Sequence, residues 1–139
     1  MMRKLDQRGL AAYEFCLVAV PLFMLMFAVF DLGRYAITIQ SLQTLANAGA
    51  RAMMITCYTN NAIQNTSPAG CTGDPLSGAQ KQAAAPFLYI SGGGAPTLNT
   101  ASGATALTVT ASQPGFNMVI PILWGSAFTA PSASTLVPF

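Results

Sequence analysis

Histidine is missing from the 139 residues, and charge of either sign is scarce: six Lys or Arg and four Asp or Glu make up 7% of the chain. Beyond residue 30 the only acids are Asp31 and Asp74 and the only lysine is Lys81. No nucleophile, base and orienting group can be assembled from that inventory, so an enzyme is not expected. A metal centre is equally poorly supplied, because Asp74 is the only acid near Cys57 and Cys71 and a structural zinc wants four ligands. The net charge of +2 is small, and the bases form no stripe with interleaved aromatics, which excludes nucleic acid as a partner. Gly92-Gly93-Gly94 leads into Ala95-Pro96 rather than a helix start, so it reads as a flexible turn and not a phosphate cradle. No cofactor is expected, and no internal repeat is present. Asn65-Thr66-Ser67 fits a glycosylation sequon, a pattern short enough to recur by chance.

What the chain has instead is apolar surface. Hydrophobic residues are 53% of the total, whereas soluble proteins carry roughly a quarter charged residues. The apolar residues are concentrated at 10–30, where Glu14 is the single ionisable acid and no base occurs. Twenty-one helical residues extend about 31 Å, which matches a hydrocarbon core of roughly 30 Å. A cleaved secretory signal is the competing reading, but its apolar core is normally 7–15 residues long. Here the helical pattern continues: Leu32, Tyr35, Ala36, Ile39, Leu42, Leu45, Ala46, Gly49, Ala50 and Met53 recur at three-to-four spacing. Arg34, Thr38, Gln40, Ser41, Gln43, Asn47 and Arg51 form the opposite face. One helix is expected from about residue 10 to 55, about 69 Å long at the standard rise.

The basic flank, Arg3, Lys4 and Arg8 against Asp6, precedes the span, while Asp31 and Arg34 roughly cancel on its far side. The amino end is therefore expected in the cytoplasm and the remainder on the exported side. Cys16 lies within the apolar run, which leaves Cys57 and Cys71 as an exported pair. An oxidising compartment favours a disulfide between them over free thiols. It would close a loop of 15 residues, for which chain entropy gives about 3 kcal/mol.

The head, residues 56–139, should be α+β. Residues 57–78 read as a loop by composition, and 78–85 as a short helix ended or kinked by Pro86. Residues 104–112 alternate Ala106, Thr108, Thr110 against Leu107, Val109, Ala111, the period of a half-buried strand. Its candidate antiparallel partner is 126–137, which Pro131 would confine to an edge or break in two. Residues 116–124 read as an apolar loop centred on Pro121. Met24, Met26, Met53 and Met54 read as lipid-facing or core filler.

Two residues in the span call for explanation. An unpaired carboxylate there costs about 2.5–3.5 kcal/mol to insert, so Glu14 either has a function or lies shallow enough to reach headgroups and water. Pro21 removes the amide that would bond the carbonyl of Leu17, giving a kink that either aids subunit packing or is simply tolerated.

The segment Ala11-Ala12-Tyr13-Glu14-Phe15, with Pro21, Asp31-Leu32-Gly33-Arg34, Ala50-Arg51-Ala52 and Gly9 ahead of the span, resembles the TadE-like pseudopilins of tight-adherence (Tad) pili, a branch of the type IV pilin class. The likeness covers about the first 55 residues. Tyr13 and Cys16 depart from it, since smaller or aliphatic residues are commoner there. The resemblance implies that a prepilin peptidase cuts after Gly9, leaving Leu10 as the new amino terminus and Glu14 fifth in the mature chain. Such a cut would place an ammonium one helical turn from Glu14 on the same face. An opposed pair at 4 Å is worth about 4 kcal/mol at an effective dielectric of 20, comparable with the insertion cost of the acid. The pair can form within a chain or between neighbours, and only the second sets assembly register.

These readings combine into a basic leader (1–9), a transmembrane half-helix (10–30), an amphipathic exported half (31–55) and a small head. The implied role is a non-catalytic minor pilin-like subunit of a bacterial inner membrane, with a periplasmic or pilus-exposed head. Its implied partners are the prepilin peptidase, other pilins and the assembly platform. The alternatives are an uncleaved single-pass anchor presenting a binding or adhesive head, and, disfavoured by the missing bases, a secreted enzyme.

Overall fold

The computed structural model describes residues 7–90, 92–125 and 127–138; Arg3, Lys4 and Asp6 of the basic flank lie outside them. Helix α1 runs Gln7–Met53 and contains Pro21. Ala and Leu are its commonest residues, and the next proline is Pro68, so nothing after Pro21 removes an intrahelical donor. A π-helical turn, Met54–Tyr58, then joins α1 to α2, Thr59–Ile63. The expected loop at 57–78 therefore starts only after Ile63. Thr59, Asn60 and Asn61 are weak helix formers, but this segment is tied to carbonyls behind it. The Thr56 hydroxyl donates to Ala52 O at 2.8 Å, the Thr59 hydroxyl to Met54 O at 2.7 Å and the Asn60 amide to Thr56 O at 2.9 Å.

After a 3-10 turn at Pro68–Gly70, Ser77 opens α3, Gly78–Ala84, through a capping box with Gln80. Pro86 separates it from α4, Pro86–Ile90, sitting at the first helical position, where a missing N–H costs nothing. Three strands follow: β1, Thr97–Ser102; β2, Ala106–Ser112; and β3, Ser132–Pro138, with the short helix α5, Pro121–Trp124, inserted between the last two. They form an antiparallel meander in the order β1-β2-β3, with Leu107 opposite Ser102 and Val137. The alternation expected of β2 is present, with Leu107, Val109 and Ala111 buried. Its partner starts after Pro131 and is an edge strand. β1 was not expected from the sequence, and the apolar loop at 116–124 contains α5. The architecture is a long apolar helix followed by a small α+β head.

One face of upper α1 is the head's inner wall. Leu42, Leu45, Ala46, Ala50 and Met53 pack with Leu88, Leu98, Leu107, Val109 and Val137 into one cluster. Gly49 permits the close approach: a Cβ there would stand 2.8 Å from Leu98 Cδ2 and 3.1 Å from Val109 Cγ1. Cys57 and Cys71 are joined by a disulfide with Cα atoms 5.9 Å apart, fastening the end of the helix to the chain that leads into the head. The loop after α4 is held by Gln113, whose amide donates to Leu88 O at 3.1 Å and Gly94 O at 2.7 Å. Gly93 and Gly115 meet beneath it, where a Cβ on Gly115 would come within 2.3 Å of Gly93 O.

Candidate assembly segment and the clamp at its upper end

Below residue 31, α1 touches almost nothing of its own chain. Tyr13, Phe15, Leu17, Leu22, Phe23 and Phe30 are all exposed large hydrophobics. One helix, scored from Ala11 to Ile63, is long and apolar enough to cross a membrane near the amino terminus. Glu14 is an exposed acid in this surface, and Cys16 is a free, exposed thiol there. The Gly9–Leu10 bond lies within α1, near the start of the described residues. Leu10 and Glu14 share a helix face by their spacing. Pro21 stands seven residues above Glu14 in the same bare half. Cys57 and Cys71 belong to the head and have no part in this surface. Among the described residues, no group of three or more His, Cys, Asp or Glu side chains could hold a metal.

The boundary between the bare and covered halves is a second cluster that the sequence pattern did not reveal. Asp31 is 1% exposed, and its carboxylate accepts the backbone N–H of Val119 at 3.0 Å and of Ile120 at 2.9 Å. Arg34 Nη1 lies 3.8 Å from the same carboxylate, and its guanidinium sits 5.4 Å from the centre of the Phe116 ring. Tyr35 meets Phe116 and Phe128 edge-on at 6.0 and 5.0 Å, and Trp124 meets Phe128 at 5.4 Å. The helix thus holds the 116–128 segment by a charged acceptor at two amides and by an aromatic stack. Thr38, placed on the outer face by the sequence pattern, is instead fully buried, its hydroxyl donating to Arg34 O at 2.8 Å. Leu32 and Ala36, placed on the inner face, are exposed. The head-facing stripe therefore carries polar groups at residues 31 and 38, because the segment it receives offers the amides of Val119 and Ile120 beside the rings of Phe116 and Phe128. Above residue 42 the expected face is the buried one.

The chain is thus a long helix with a bare apolar lower half and an α+β head packed on its upper half. Residues 9–51 match the family model described as TadE-like protein, so just under a third of the chain is TadE-like. No curated protein and no solved structure matches the chain. The matched stretch takes in Gly9, Glu14, Pro21 and the Asp31-Leu32-Gly33-Arg34 element, and it stops short of the head. The family implies a pilin-like protein associated with Tad pili, with pilin partners and membrane association.

Proposed function

We propose that the chain is a minor pilin-like structural subunit of a Tad pilus system, without catalytic activity. It is inserted with its amino end in the cytoplasm and its head in the periplasm, cut after Gly9 by a prepilin peptidase, and joined to other pilins and the assembly platform through residues 10–30. The observation that carries this reading is Glu14, an exposed carboxylate in an otherwise apolar half-helix within the TadE-like stretch. Lipid alone gives such an acid no partner, whereas the ammonium of a neighbouring Leu10 would supply one.

The test is a charge series read by crosslinking and co-purification with partner pilins. Glu14→Gln should leave insertion and head folding intact, because removing a membrane charge lowers the insertion cost, yet abolish assembly. Glu14→Asp keeps the charge but shortens its reach, and lengthening a pair from 4 to 5.5 Å at an effective dielectric of 20 costs about 1 kcal/mol, a partial defect. Equal behaviour of all three proteins would mean a shallow, solvated carboxylate and would remove the assembly role.

A further inference from the structure

The clamp at Asp31 presents an apolar loop at the level where the span ends. Residues 10–30 account for the thickness of a hydrocarbon core, so Asp31 stands at its exported edge. The amides of Val119 and Ile120 lie within 3.0 Å of the Asp31 carboxylate, which fixes this loop beside the last turn of the span. Met118 turns inward, but three apolar side chains of the loop do not: Val119 is 64% and Ile122 93% exposed, and Leu123 is exposed as well. Tyr35 and Trp124 both pack edge-on against Phe128, and these two residue types concentrate at membrane–water interfaces. No charged residue occurs from 82 to 139, so no charge in the loop opposes entry into a low-dielectric layer.

We propose that residues 117–124 form a lipid-contacting foot, through which Val119, Ile122 and Leu123 enter the headgroup–acyl boundary of the exported leaflet while Asp31 holds them there. The inference rests on the reading of residues 10–30 as a membrane span. Lipid is the occupant because the loop is continuous with the surface the span already presents to the bilayer and is level with its end. With no base of its own, the foot takes the neutral boundary region and not an anionic headgroup. Its consequence is orientational: two attachments, the span and the foot, fix the tilt of the head over the membrane before the subunit is extracted into a polymer.

Trp124 is the single tryptophan of the chain and reports on the foot directly. The full-length protein, reconstituted in phosphatidylcholine vesicles, is titrated with lipids carrying a nitroxide either near the headgroup or at the end of the acyl chain. Trp124 emission should be quenched more strongly by the shallow label than by the deep one and should be blue-shifted relative to detergent at high dilution of lipid. Ile122→Glu should lose most of the shallow quenching, and its exposure leaves the fold of the head no reason to change. Emission insensitive to both labels, stronger quenching by the deep label, or an Ile122→Glu protein quenched like wild type would each overturn the foot. Protection of Trp124 only in assembled pili would overturn it too, by giving the surface to a neighbouring subunit. Protein that fails to float with the vesicles would remove the span itself, whereas flotation without shallow quenching removes the foot alone.

Discussion

The two halves of α1 both carry large apolar residues, and these meet opposite surroundings. Leu22, in the lower half, is 62% exposed, while Leu45, about six turns further along, is fully buried against the sheet. The upper half adds a polar face, Arg34, Gln40, Gln43, Asn47 and Arg51, but its apolar residues are of the same kinds; what buries them is the head, which packs on residues 31–53. A helix whose upper face is completed by its own chain and whose lower half is not has one half committed to folding and the other left for lipid or for other subunits. The acids divide in the same way. Asp31 is satisfied by two amides of its own loop, and Glu14 has exposed surroundings.

The sharpest way to break this comparison is to make the same substitution in both halves. Leu45→Ala should destabilise the head by about 3 kcal/mol, in the range for a fully buried leucine, while Leu22→Ala leaves head stability in detergent unchanged. Urea unfolding followed by Trp124 emission measures both, and equal effects would mean that the lower half also packs on the head. Next in size, Cys57→Ser with Cys71→Ser should lower head stability by about 3 kcal/mol through the released 15-residue loop. The same midpoint shift should follow reduction of the wild-type protein, and a midpoint indifferent to reductant would contradict it. Smallest is Asp31→Asn, which replaces one accepting oxygen by a donor facing an amide and should cost about 2 kcal/mol. Hydrogen exchange should localise that loss to the amides of Val119 and Ile120, leaving β2 protected.

Much of this was legible in the residues because it is local. The spine follows from apolar spacing, β2 from the alternation of Leu107, Val109 and Ala111, the α3–α4 boundary from Pro86, and the Cys57–Cys71 bridge from cysteine arithmetic. The readings that failed are those in which distant partners or side-chain bonds to the helix's own carbonyls override intrinsic preference. β1 is Thr-Leu-Asn-Thr-Ala-Ser, a weak strand sequence that holds because β2 pairs with it along its full length. Helix through Asn60 and Asn61 is stabilised by back-bonded side chains that composition does not reveal. The Asp31 clamp joins groups 88 and 89 residues apart, beyond any periodic pattern. An acid just past an apolar span, followed at three residues by Arg34, was the available clue, and it was read as a charge pair that cancels and as a family element, not as a clamp on a distant loop.

The claim on which the rest depends is that the bare half of α1 begins at a processed amino terminus, so the deciding measurement is the intact mass of the protein extracted from membranes of its native host. The account predicts a chain shortened by residues 1–9 and beginning at Leu10, with Gly9→Ala retaining the full length. A wild-type protein that keeps Met1 to Gly9 would contradict it and leave the single-pass anchor with a binding head as the surviving reading.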